Sequence, residues 1–234
     1  MPPLSSARAV LRLATVTVLV SASVAACGPK RLAVIGPMPD AGAEARALER
    51  STRLVEPVRI RFRWELNESG SRLDGIGVAR VEPPYRARLD LFLDNFESVV
   101  SAALVDDELR LPYGSREDVL PPVDLMWGTL GVFRPLGGAE LSGGDHLEGE
   151  AERLRYQQAD GTELHYEVVA GALEAVELVE DGHVVQWVRV ERAADGRYPA
   201  EATYRNLADF RELKITRDSL QRVESFDPEI WDPR

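Results

Sequence analysis

The segment VRIRFRWEL, residues 58–66, limits most sharply what this chain can fold into. Val58, Ile60, Phe62, Trp64 and Leu66 alternate with Arg59, Arg61, Arg63 and Glu65. A period of two places successive side chains on opposite sides of an extended backbone, so this is a strand with one apolar and one charged face. Such a strand is not stable alone. It must be paired, and its apolar face must be covered by the protein's own side chains or by a foreign apolar group.

The same period recurs along the chain. Residues 72–82, 84–94, 97–105 and 108–113 read as strands, with Gly75 and Gly77 suggesting a bend or bulge in the first of them. A second series follows at about 152–158, 162–169, 173–180, 183–192, 197–205 and 210–217. Asp-Gly pairs between several of these runs are hairpin signals. Two stretches break the period. AEARALERSTRLVE, 43–56, places Ala45, Leu48, Thr52 and Val55 on one helical face, and Pro57 stops it. Residues 116–134 carry Val123, Met126, Leu130 and Phe133 at helical spacing after Pro121-Pro122, which reads as a short apolar helical insertion. GGAELSGGD, 137–145, reads as a glycine-rich lead back to the strands. The expectation is a mainly β domain over 44–234: one antiparallel sheet of about eleven strands, an N-terminal helix and the helical insertion.

The first 26 residues have a basic head with Arg8 and Arg12, an uncharged apolar run from Leu13 to Val20, and small residues up to Cys27. That is the pattern of a secretory signal, too short for an ordinary spanning helix. Val24-Ala25-Ala26-Cys27 resembles the lipobox of bacterial lipoproteins. The resemblance implies cleavage before Cys27, diacylglyceryl attachment to its thiol and acylation of the new amino terminus. Cys27 is the sole cysteine, so no internal disulfide competes for it. Two or more acyl chains make a durable anchor. Gly28, rather than Asp, follows the cysteine, which in Gram-negative lipoproteins favours the outer membrane. Residues 27–43, with three prolines, read as anchor and flexible linker. Removing residues 1–26 would take the net charge from −11 to −13. That argues against nucleic acid and against an electrostatic grip on anionic lipid heads.

No catalytic constellation stands out: there is no G-x-S-x-G, H-E-x-x-H or phosphate-cradling glycine loop. Neither an enzyme nor a cofactor is called for. Asp145, His146, Glu148 and Glu150 could hold a hard cation or simply form a solvated turn; no metal is expected. Arg59, Arg61, Arg63, Arg86 and Arg88 are expected to pair with acids across strands, the alternative being an acidic partner or a lipid phosphate.

WELNESGSRLDGIGVARVEPPYRARLDLFL, 64–93, and YPAEATYRNLADFRELKITRDSLQRVESFDPEIWDP, 198–233, resemble the lipoprotein-carrier fold of the LolA and LolB type. The resemblance implies an incompletely closed barrel with helices as a lid over its mouth, and an apolar concavity that takes acyl chains of lipids or lipoproteins. It implies a monomer at the outer membrane facing the periplasm, anchored through Cys27, with a periplasmic carrier protein as a further partner. An exposed apolar residue on a loop of the first half is used for membrane insertion in that family. The nearest candidate loop here is LDNFES, 93–98, with Phe96. Eleven strands over two or three short helices would leave a lumen. Phe62, Trp64, Leu89, Leu91, Trp127, Phe133 and Trp187 are the expected lining. Two readings stay open: an acyl-binding envelope lipoprotein, or a scaffolding lipoprotein with a filled core.

Overall fold

The computed structural model describes residues 32–194 and 196–233, with Glu117 as backbone alone. The signal segment and Cys27 lie outside the described residues. Thirteen strands form one antiparallel sheet: β1 (Val34–Pro37), β2 (Val58–Glu68), β3 (Ser71–Glu82), β4 (Arg86–Leu93), β5 (Ser98–Val105), β6 (Glu108–Arg110), β7 (Glu140–Leu147), β8 (Ala151–Gln157), β9 (Glu163–Val169), β10 (Ala172–Glu180), β11 (His183–Arg192), β12 (Pro199–Asn206) and β13 (Arg211–Arg222). Two α-helices accompany them, α1 (Ala41–Thr52) and α2 (Val123–Thr129).

The strand order is β1-β7-β8-β9-β10-β11-β12-β13-β2-β3-β4-β5-β6. The chain meanders from β2 to β6, crosses through α2 to the far edge, and meanders back until β13 pairs with β2. That central seam runs from Arg211↔Glu68 to Arg222↔Val58. The sheet is not closed; β1 and β6 are its edges.

The mainly β antiparallel half-barrel is as expected, with thirteen strands in place of eleven. The two additional strands, β1 and β7, are neighbours at one edge. β1 corrects the linker expectation for residues 34–37: its four residues are too few to show a period, and they pair with β7. β7 occupies the stretch that reads as a glycine-rich lead. Its Gly144 is demanded by packing, since a Cβ there would lie 3.0 Å from Met38 Sδ and 3.1 Å from Ala41 Cβ. α1 therefore begins over β7. Asp40 caps it, its carboxylate accepting from Ala43 N at 2.8 Å. The helix stops at Thr52, short of Val55, which is exposed. The hydroxyls of Ser51 and Thr52 fold back onto the Leu48 carbonyl.

In β2 every residue of the apolar alternation is buried from Val58 to Leu66. Gly75 and Gly77 make no bulge: the β2–β3 register is unbroken from Val58↔Val81 to Glu68↔Ser71. They lie opposite Trp64 and Phe62, and a Cβ on Gly77 would come within 2.3 Å of the Phe62 ring. Gly77 makes room for the Phe62 ring, and Gly75 for the close approach of the β4 backbone at Phe92.

The curl of the sheet follows from two adjacent residues of α2. Gly128 packs on Val176 of β10 so closely that a Cβ would lie 2.8 Å from its Cγ2. The neighbouring Trp127 donates its indole N–H to the Asp106 carbonyl, beyond β5, at 3.1 Å. β10 and β5 are seven strand spacings apart, about 34 Å along a flat sheet. Consecutive Cα atoms are about 3.8 Å apart, so the sheet must wrap around α2. The inward faces of the strands and both helices share one apolar core.

Candidate functional site

The concave face is built from Ile60, Phe62, Trp64 and Leu66 of β2 and the residues in register with them: Ala79 and Val81 of β3, Leu89 and Leu91 of β4, and Leu213 and Ile215 of β13. Most of its area is covered by the protein itself, contrary to the expected lumen. Trp64 is 2% exposed, and its indole donates to the carbonyls of Ile76 (3.0 Å) and Phe92 (3.1 Å). Leu91 is fully buried. Trp127 lies edge-on to Tyr85 with centroids 5.8 Å apart. Phe133 packs edge-on to Tyr166 at 4.8 Å and to Tyr156 at 5.9 Å. The curled sheet can thus be filled because α2 and its exit loop bring large aromatics into the hollow.

One gap is left. Between the C-terminal end of α2 and the sheet, Phe62, Ala79, Leu89, Leu130, Ile215 and Tyr198 border an apolar crevice with a volume of ≈ 40 Å³. That is about the space of one water molecule. Of the expected lining residues, Phe62 and Leu89 meet here. Trp64, Leu91 and Trp127 lie in the packed core, and Phe133 borders a separate depression between α1 and the loop after α2.

Trp187 is a correction. It is in register with Glu177 and Arg205, whereas the inward positions of the same strands are Val176, Val188 and Tyr204. It faces the outer side, where Arg189 and Arg205 lie over its ring at 5.0 and 5.7 Å. The bulge between Leu178 and Val179 changes which side an alternating sequence presents, and the aromatic character of position 187 does not reveal its side. Phe96 is at the tip of the β4–β5 hairpin, 75% exposed, with a left-handed backbone (φ 65°). Phe210 holds the equivalent place on the β12–β13 hairpin at the same end of the sheet.

α2 is held by its exit loop. Arg134 stacks on Tyr85 at 3.8 Å and pairs with Asp107 at 2.9 Å. Phe133 N–H donates to Thr52 Oγ1 at 3.1 Å, tying the loop to α1. Just before these ties Leu130 lines the crevice and Gly131 the polar pocket beyond it. Gly131 (φ +70°) adopts a backbone that other residues reach only with strain, and Pro199 lies 3.3 Å from where its Cβ would be.

On the far side of Tyr198 and Pro199 lies a second, polar pocket of ≈ 470 Å³ between the end of α1, the β9–β10 turn and the β11–β12 loop. Arg192, Arg197 and Glu191 contribute its charges. Tyr198 is in the wall of both spaces. Its hydroxyl is buried without a hydrogen-bond partner, and burial pushes its pKa up to about 12, the Arg197 charge opposing and the Glu56 charge reinforcing the rise. Sequence reading did not find Leu130, Tyr198, Arg192 or Arg197 as site residues, because the end of α2 and the β11–β12 hairpin that carry them meet only in the tertiary fold.

Of the arginines expected to pair, Arg63 does so with Asp218, Arg86 with Glu82 and Arg88 with Asp90, which Arg80 also joins; Arg59 and Arg61 form no ion pair among the described residues and stay in solvent on the outer face of β2. The acidic run 143–150 does not converge. Asp145 pairs with Arg155 and His146 with Glu152, and no group of three potential metal ligands forms among the described residues.

No protein-family profile matches the chain, and no curated protein matches it by sequence. Solved structures do match by fold. A DUF1329 family protein from Desulfovibrio piger superposes with a TM-score of 0.56 at 10% identity over 83% of this chain and 98% of its own. A domain provisionally assigned to outer membrane lipoprotein sorting, from Vibrio parahaemolyticus, gives 0.55 at 10% identity over 82% and 94%. A LolA superfamily protein from Nitrosomonas europaea gives 0.49 at 9% identity over 82% and 96%. At such identities the likeness is one of fold: this chain shares the open antiparallel sheet of the first two structures.

Proposed function

We propose that this protein is an envelope lipoprotein that binds acyl chains of lipids or lipoproteins non-covalently, without catalysis, beneath the C-terminal end of α2. The observation that carries the reading is the crevice lined by Phe62, Leu89, Leu130 and Ile215, an apolar gap between the C-terminal end of α2 and the sheet. At ≈ 40 Å³ it is closed to a chain; loading requires Leu130 to lift from the sheet. A chain that enters gains about 25 cal/mol for each Å² of apolar surface removed from water. Cys27 supplies the membrane anchor, and Phe96, projecting from a hairpin tip, is the membrane-inserting residue. The fold shared with a domain assigned to lipoprotein sorting supports an outer-membrane, periplasm-facing location and hand-off from a carrier protein.

The test is saturable binding of a fluorescent fatty acid. Leu130→Ala widens the crevice and should tighten binding several-fold; Leu130→Trp should abolish it. A second reading, a scaffolding lipoprotein without cargo, draws support from the packing of Trp64, Leu91 and Trp127. It expects no saturable binding to any of the three proteins.

A further inference from the structure

We infer that the polar pocket beside the crevice is a headgroup site, and that the ligand is an amphiphile with an anionic head on an alkyl chain. The inference rests on the acyl-binding reading and names the ligand class it leaves open.

The apolar crevice and the ≈ 470 Å³ polar pocket share two wall residues, Tyr198 and Pro199. A molecule lying across that wall is therefore apolar at one end and polar at the other. The polar end meets an excess of positive charge. Among the described residues, Arg192 and Arg197 line the pocket with one carboxylate, Glu191. Neither arginine pairs with a carboxylate among the described residues. Arg192 donates to the Val169 carbonyl, and Arg197 reaches the Arg53 carbonyl at 3.4 Å. Both side chains are exposed to solvent in a protein of formal net charge −11, where the acids outnumber the bases and most other arginines of the sheet have found one. A guanidinium keeps spare donors after one carbonyl bond and matches the planar oxygens of carboxylate or phosphate. The Tyr198 hydroxyl adds an independent sign. It is buried in the wall between the two spaces with no hydrogen-bond partner. A stranded buried hydroxyl is unfavourable, and the polar atoms next to the head of a bound amphiphile would satisfy it. Pro199 and Gly131, in close contact, form the saddle over which the chain would pass from pocket to crevice.

The experiment uses the full-length protein, delipidated, in equilibrium dialysis at pH 8. The probes are oleate, 1-oleoyl-lysophosphatidylglycerol and uncharged mono-oleoylglycerol, each below its micelle-forming concentration. The three share one chain and differ in the head. The expected result is that at least one anionic probe binds roughly tenfold tighter than the neutral one, with a preference that falls as salt is added. Oleate alone preferred identifies a carboxylate head, and the lysophospholipid alone a phosphate head. R192Q/R197Q should reduce the preferred probe to the neutral level and leave mono-oleoylglycerol unchanged. R59Q/R61Q removes the same charge from the other face of β2 and should preserve the preference. Equal binding of all three probes, or a preference that survives R192Q/R197Q or is lost equally in R59Q/R61Q, overturns the headgroup site and leaves acyl binding standing. If none of the three binds, acyl binding itself fails and the headgroup site with it.

Discussion

Asp90→Asn should be among the most destabilising single changes on the outer face. Asp90 lies there between Val78 and Ser101, and its side chain is only 7% exposed. It accepts from Arg80, from Arg88 Nε at 3.1 Å and from Ser101 Oγ at 2.7 Å. Arg80 and Arg88 are directly opposite each other on β3 and β4, a like-charge pair that is unfavourable unless an anion lies between them. Arg88 also holds the C-terminal segment through the Ile230 carbonyl at 2.8 Å. Removing one partner of a buried ion pair costs about 3–5 kcal/mol. The arginine side chains are 28% and 21% exposed, so water recovers part of their solvation and about 3 kcal/mol is the reasoned loss. With a urea m-value of about 2 kcal/mol/M, the midpoint of tryptophan-monitored unfolding should fall by about 1.5 M. The comparison is Arg63→Ala, which breaks the exposed pair with Asp218 and should cost under about 1 kcal/mol. Equal midpoint shifts for the two variants, or a shift under about 0.3 M for Asp90→Asn, would refute the claim that this carboxylate organises the outer face.

Gly77→Ala pushes a methyl group into the Phe62 ring and should cost about 1–3 kcal/mol; combined with Phe62→Leu, the loss should be less than additive in the same urea assay. The Tyr198 hydroxyl has a folded pKa of about 12 against about 10 unfolded. Its stabilisation is whole below pH 10 and is lost as pH rises through 12, roughly 2–3 kcal/mol in all. Tyr198→Phe should therefore melt at or above the wild type at pH 7, because it removes a buried hydroxyl without a partner, and should lose less stability between pH 10 and 12; parallel pH profiles would count against burial as the cause. Cys27→Ala should abolish palmitate labelling and release the protein from the membrane fraction on cell fractionation, and labelling that persists would place the anchor elsewhere.

Some of this was open to a reader of the sequence. The alternation in β2 has one solution, because five apolar residues at period two can hide only on one side of a strand. Asp-Gly turns at 160–161 and 181–182 fix hairpins for the same local reason. β1 and β7 were not legible, since one is too short to show a period and the other needs glycine to admit Met38 and α1. Gly75 and Gly77 look like a bulge in the sequence; in the fold Gly77 is clearance for the Phe62 ring and Gly75 for the backbone of β4 at Phe92. Trp187 shows the limit of aromatic character as a guide: its side was set by register, not by its chemistry.

Local periodicity, then, determined the strands, their antiparallel pairing and the two helical interruptions, because those depend on neighbours in the chain. Whether the hollow stands empty was decided only in three dimensions. Seven strand spacings of curl bring Asp106, Trp127 and Val176 around one short helix, and that closure both fills the core and leaves the gap under Leu130. The meeting of Leu130 with Tyr198 and Arg192 of the β11–β12 hairpin depends on the same curl, since contacts between residues 60 or more positions apart leave no periodic trace in the chain that makes them.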